Sequence, residues 1–145
     1  MKFWDTSAVV PLCVSEPIST EVKSLLAADS TLVVWWGTRT ECVSAFMRQV
    51  REGNLSTPGE RQARQVLGSL AQSWIEILPS ETVRSSAERL LAVHTLRAAD
   101  ALQLAAALQW RPRDAADYGF ICFDNRLRGA AYKEGFLLFP PELPG

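Results

Sequence analysis

"FICFDNRLRGAAYKEGFLLF", residues 120–139, holds two apolar runs joined by an amphipathic segment. "FICF" reads as a strand, "NRLRGAAYKEG" as a short helix closed by a glycine, and "FLLF" as a second strand. A helix between two strands implies that the strands run parallel, since antiparallel neighbours can be joined by a hairpin. Asp124 falls where the first strand ends and the helix begins.

The same alternation extends over the rest of the chain. "MKFW" is a strand, followed by "DTS" and an apolar segment to about Val14. "SEPISTEVKSLLAA" reads as a helix with Pro17 in its first turn, where a missing N–H costs little. "TLVVW" is a buried strand by its β-branched content. "TRTECVSAFMRQVREG" places Cys42, Val43, Phe46, Met47 and Val50 on one helical stripe. "TPGERQARQVLGSLAQS" is a more polar helix that turns Val66, Leu67 and Leu70 inward, and "WIEILP" alternates like a strand. Two helices follow, "SETVRSSAERLLAVHTL" and "AADALQLAAALQW", then the loop "RPRDAADYG". The expectation is an α/β sandwich, a mostly parallel central sheet flanked by helices, in a single domain over residues 1–145.

Composition narrows the function classes. The chain has 145 residues, 48% hydrophobic, with mean hydropathy +0.01, as expected of a packed core. No apolar run approaches the ~20 residues needed to span a bilayer, and Asp5 interrupts the N-terminal stretch where a secretion signal would be apolar. Cys13, Cys42 and Cys122 are odd in number and widely spaced, which suits free thiols in a reducing cytoplasm. With one histidine, His94, and no paired cysteines, a structural zinc site is excluded. The net charge of −1 supplies no global field for nucleic acid. Arginine nevertheless provides 12 of the 15 basic residues, and its planar fork suits phosphate.

Four acids occupy equivalent places in this pattern. Asp5 follows the first strand, Glu41 lies in the first turn of the helix after the second, and Asp124 follows "FICF". Asp100 opens the helix "AADALQLAAALQW", where alanines, Leu102, Leu104, Leu108 and Trp110 occupy every side. That setting predicts the driest surroundings of the four for Asp100. In a parallel α/β sheet, strand C-termini and helix N-termini share one edge, so all four carboxylates should meet at one rim. Each also fits a helix-start role taken singly: Asp5 or Thr6 as an N-cap, "TRTE" as a capping box, Asp124 as a cap, Asp100 against Arg97 or a helix dipole. Together they repel one another unless a cation intervenes. Oxygen ligands without histidine or cysteine select Mg²⁺ or Mn²⁺, the usual companions of phosphoryl chemistry.

"FWDTSAVVPLCVSE", "ECVSAF", "LRAADALQLAAA" and "FICFDNRLRGAAYKEGF", in this order and spacing, resemble the PIN-domain ribonucleases, and most closely the VapC toxins of bacterial toxin–antitoxin pairs. The resemblance spans nearly the whole chain and implies a PIN-like three-layer sandwich. It implies that Asp5, Glu41, Asp100 and Asp124 are the acidic, metal-binding, catalytic core, supported by Ser7 and by Arg97. It further implies Mg²⁺- or Mn²⁺-dependent RNA cleavage leaving a 5′-phosphate and a 3′-hydroxyl, a cognate VapB-type antitoxin, a homodimer and a cytoplasmic setting. Many members carry Ser or Thr where this chain has Cys122, which puts one hydrogen bond at the site in question. Thr6 fits the motif without a catalytic role, and Asn125 supplies no fifth acid.

Other residues divide between surface and core. Arg39, Arg48, Arg51, Arg126 and Arg128 are candidates for RNA backbone contacts. Trp35, Trp36, Phe46, Met47 and Trp74 are candidates for an antitoxin groove or dimer face, with helical spacing favouring a core place for Phe46 and Met47. Adjacent Trp35 and Trp36 cannot both point inward from a strand, so one is available for contact. Asp114 and Asp117 read as solvated loop charges, and His94 as a helix-flank residue without a catalytic partner. A phospho-receiver domain would need a second acid after the first strand and a lysine after the last. An Asp-x-Asp phosphatase fails because residue 7 is serine. A non-catalytic PIN-fold module binding RNA or protein, and a PIN nuclease outside any toxin–antitoxin pair, remain as alternatives.

Overall fold

The computed structural model describes residues 1–112 and 117–144. In chain order the elements are β1 (Lys2–Trp4), α1 (Thr6–Cys13), α2 (Ser19–Ala28), β2 (Leu32–Trp35), α3 (Thr38–Arg51) and α4 (Thr57–Ala71). They continue with β3 (Ile75–Ile77), α5 (Glu81–Val93), α6 (Ala98–Trp110), β4 (Gly119–Ile121), α7 (Asn125–Lys133) and β5 (Leu137–Phe139). The strands form one sheet in the order β3-β2-β1-β4-β5, and every neighbouring pair is parallel. The sheet is therefore wholly parallel, with β1 at its centre.

Strand alternation explains the two cores. Phe3, Val33 and Phe120 point to one face, where Val83 and Leu90 of α5, Leu104 of α6 and Leu127 of α7 cover them. Trp4, Val34 and Ile121 point to the other, against Val9 of α1, Val22 of α2, Phe46 of α3 and Leu67 of α4. Both faces are dry, which is why the three inner strands read as unbroken apolar runs. Phe3 pairs in register with Phe120, and their rings stack at 5.5 Å, a contact worth about 0.5–1.5 kcal/mol beyond area burial. The result is a three-layer sandwich.

Some boundaries differ from the sequence reading. Pro17 lies in a turn before α2, not in its first turn, because Ser19 locks that turn: its hydroxyl accepts the Glu16 N–H at 2.9 Å and donates to the Pro11 carbonyl at 2.8 Å. β4 ends at Ile121, and Cys122 and Phe123 carry the chain on to Asp124. Inward on α4 are Ala63 and Leu67, with Val66 and Leu70 half-buried beside them. Asp117 is exposed, in keeping with a solvated loop, whereas Asp114 lies outside the described residues. Among the described residues no helix is long and apolar enough to cross a membrane.

Candidate active site

Asp5 is the N-cap of α1. Its Oδ2 accepts the Ser7 N–H at 3.1 Å and the Ser7 hydroxyl at 2.6 Å, while its own N–H extends the β1–β4 ladder to the Ile121 carbonyl at 3.0 Å. It is the most buried of the four acids, at 5% exposure. Burial raises its carboxyl pKa above the ordinary value, against the lowering effect of the Ser7 hydrogen bonds.

The capping-box pattern at Thr38–Glu41 is not used. Gly37 is the N-cap of α3 and provides no side chain, and Thr38 is buried. Glu41 turns instead toward the rim, where Oε1 accepts from Thr6 Oγ1 at 3.1 Å and Oε2 accepts from Gln103 Nε2 at 3.2 Å. Burial first, then the charge of Asp5, pushes its carboxyl up to about 7.

Asp100 is the third residue of α6 and is half-buried, so its surroundings are not the driest; that place belongs to Asp5. The apolar run predicts helix burial correctly, but the first turn of α6 stands at the open rim. Its carboxyl is raised by desolvation and then by the charge of Asp124, with Arg97 and Arg126 pulling the other way. Asp124 is the exposed N-cap of α7, with Oδ1 accepting the Leu127 N–H at 2.9 Å. For Asp5 and Asp124 the cap and cavity roles coexist, because a carboxylate has a second oxygen.

All four acids line one cavity of about 350 Å³, together with Thr6, Ser7, Glu16 and Arg48. A second cavity of about 650 Å³ adjoins it, sharing Asp100 and Asp124 and adding Arg97, Asn125 and Arg126. Acids and arginines thus share one rim. Among the described residues no three acidic, cysteine or histidine side chains are gathered tightly enough to grip a single ion. The ring is open. Its all-oxygen donor set fits a hard divalent cation that keeps much of its hydration shell, as Mg²⁺ does when held by one or two carboxylates.

No family model matches the chain. Ribonuclease VapC47 of Mycobacterium tuberculosis is 35% identical to it over 143 residues, covering 97% of each. The chain belongs to the VapC family. The fold is also similar to a chain of a toxin–antitoxin complex from Klebsiella pneumoniae, with a TM-score of 0.65 at 17% identity, covering 99% of this chain and 100% of that one. At that identity the likeness is one of fold.

In this VapC-family chain the Cys122 position keeps hydrogen bonds at the site. The thiol stands 3.5 Å from Asp5 Oδ2 and its sulfur accepts the Asp124 N–H at 3.3 Å. A thiol is a weaker donor than a hydroxyl. Arg128 corrects the list of RNA-contact candidates. It is buried, and its guanidinium donates to the carbonyls of Cys122 (2.9 Å), Pro140 (2.8 Å) and Pro141 (3.2 Å). It ties the C-terminal segment to β4 and has no free face for phosphate. Arg39, Arg48, Arg51, Arg97 and Arg126 are all exposed, but Arg39 and Arg51 line neither cavity.

Of the adjacent tryptophans, Trp35 is buried and Trp36 is 53% exposed. Phe46 and Trp74 are core residues and leave the groove, while Met47 is half-buried. His94 lines neither acid cavity; its Nε2 meets Glu134 Oε2 at 2.8 Å, a contact between α5 and the end of α7. The sequence reading offers helix-start roles for Thr6 and Thr38 but contains neither Gln103 nor the contacts these residues make across elements. Gln103 is fully buried, and its Oε1 has no hydrogen-bond partner, at a cost of about 1–3 kcal/mol. Its spacing of three residues from Asp100, on the same helix face, was the available signal.

Proposed function

We propose that this VapC-family chain, as a single PIN domain over residues 1–145, is a Mg²⁺- or Mn²⁺-dependent endoribonuclease toxin neutralised by a VapB-type antitoxin. The observation that carries the reading is the convergence of Asp5, Glu41, Asp100 and Asp124 on one cavity from four separate elements. Nothing in the fold alone requires four like charges at one rim, three of them with raised carboxyl pKa values. The ribonuclease name of the 35% identical relative and the toxin–antitoxin setting of the fold neighbour support substrate and partner.

Asp5, Glu41, Asp100 and Asp124, which all line the cavity, would hold the ion between them, one or two directly and the others through its waters. Such an ion, when bound, acidifies water for attack on phosphorus and offsets charge on the leaving oxygen. Ser7 holds Asp5 in a fixed rotamer, and Thr6 does the same for Glu41. Arg97 and Arg126 border the adjoining cavity and bind phosphates flanking the scissile one, which overcomes the repulsion between RNA and the acid ring. Cleavage leaves a 5′-phosphate and a 3′-hydroxyl. Of the aromatic groove candidates, Trp36 is the one exposed and available to the antitoxin or to a second copy in a homodimer.

The test is cleavage of a generic single-stranded RNA with Mn²⁺, with and without excess chelator, beside expression of the chain alone in cells. Metal-dependent cleavage and growth arrest, the latter relieved by the small protein encoded beside it, are expected. Undiminished cleavage in chelator, or harmless expression of metal-loaded protein, would count against the reading.

A further inference from the structure

Gln103 lies on α6 one turn beyond Asp100, on a helix otherwise built of alanine and leucine at its buried positions. Its Nε2 stands 2.9 Å from Thr6 Oγ1, 3.0 Å from Thr38 Oγ1 and 3.2 Å from Glu41 Oε2. The partners dictate the amide orientation. Thr6 Oγ1 gives its proton to Glu41 Oε1, so it offers Gln103 only lone pairs, and a carboxylate oxygen only accepts. Reversed, the amide oxygen would face two acceptors without a proton between them. The NH₂ group therefore faces α1 and α3, and Oε1 is left inside the protein without a partner.

An unmet buried acceptor is destabilising, and leucine in this helix would fill the core without one. Packing alone does not account for glutamine here. A neutral donor has a property that lysine or arginine lacks: it orients a carboxylate without cancelling its charge, which stays available to a cation. We infer that Gln103 is a positioning residue of the acid cavity: with Thr6 it clamps both oxygens of Glu41 and fixes that carboxylate for metal binding. The metal half of this inference rests on the function proposed above; the clamp itself does not.

The experiment separates the two. Urea unfolding in EDTA at pH 8 is measured for wild type, Gln103→Met, Glu41→Met and the double variant. The two changes should be non-additive by about fivefold or more in the unfolding constant, with Gln103→Met more costly when Glu41 is present. Additivity within about twofold would overturn the clamp. Gln103→Ala, which packs without steric conflict, is carried through the same cycle so that poor packing of methionine cannot decide the result.

Mn²⁺ affinity is then read from calorimetry and from the metal-induced rise in melting temperature. Gln103→Met should bind Mn²⁺ about tenfold more weakly and lower kcat on RNA with little change in KM. Unchanged Mn²⁺ affinity beside reduced stability would reduce Gln103 to a packing residue and overturn the inference. A wild type that binds no Mn²⁺ would overturn the metal reading, and non-additivity would still establish the clamp.

Discussion

Ser7 Oγ stands 2.6 Å from Asp5 Oδ2 and accepts the Phe123 N–H at 2.9 Å, so one hydroxyl joins the acid after β1 to the chain leaving β4. Ser7→Ala removes the hydroxyl's bond to a nearly dry carboxylate and leaves the Phe123 N–H without this acceptor, while the backbone N–H of residue 7 still reaches Asp5. Hydrogen bonds to charged groups contribute roughly 1.5–3 kcal/mol, so a loss of about 2 kcal/mol in urea unfolding is expected, together with reduced cleavage. An unchanged denaturation midpoint would show that the bridge carries no load.

Asp100→Asn separates a metal ligand from a helix-start charge. As a helix-start charge, its loss costs up to ~1 kcal/mol and leaves cleavage intact. As a ligand, Asp100 faces the other acids with Arg97 and Arg126 offsetting their charge only in part in metal-free protein, and the substitution relieves that repulsion at nearly constant volume. The metal-free variant should then melt at or above the wild-type temperature, lose the Mn²⁺-induced rise and lose nearly all cleavage. Thermal melts with and without Mn²⁺ beside an RNA assay decide between them.

Two neighbouring arginines should behave oppositely. Arg126 is exposed beside Asp124, and Arg126→Ala should leave stability within about 0.5 kcal/mol while weakening RNA binding. The slope of log affinity against log salt should shrink by ~0.7 for one single-strand phosphate contact. Arg128→Met leaves the buried Cys122 and Pro140 contacts and the part-buried Pro141 contact unmet and should cost about 3 kcal/mol without changing that slope in the folded protein. Anisotropy titrations at several salt concentrations, with urea unfolding, read both quantities.

Glu134 accepts from Arg89 at 2.8 Å and meets His94 at 2.8 Å, and the Arg89 hydrogen bond holds its carboxyl below the ordinary value of 4.5. A depressed carboxyl stabilises the fold above the unfolded-state pKa, and that contribution disappears as pH falls through the folded-state value. Glu134→Gln should therefore melt about 2–4 °C below wild type at neutral pH, with the gap closing on acidification below 4.5. A gap that persists in acid would place the effect in packing, not charge.

The order of strands and helices was legible because each core strand is buried on both sides, so Phe3–Trp4, Val33–Val34 and Phe120–Ile121 stand as pairs of large apolar residues. The convergence of the acids followed from the parallel sheet alone. Depth did not. Asp100 sits in apolar sequence yet at the mouth of the cavity, while Asp5 is dry because β2 and β4 flank its strand, a fact of topology and not of neighbours in sequence. Arg128 and Gln103 were misread or missed for the same reason: the groups they satisfy are the Pro140 and Pro141 carbonyls and the Thr6, Thr38 and Glu41 oxygens, distant along the chain or on other elements. A polar residue among alanines carries no label saying which distant oxygen it will meet.

Placing β1 at the middle of the sheet has a consequence for the order of assembly. Its neighbour β2 is supplied early, but its other neighbour, β4, begins at Gly119. A nascent chain still short of that residue can bring Asp5 near Glu41, yet it has neither the second wall of the central strand nor Asp124. Closing a loop of this length is slow compared with pairing local segments. The acid ring is therefore completed late in biogenesis, and prematurely terminated chains emerge without it.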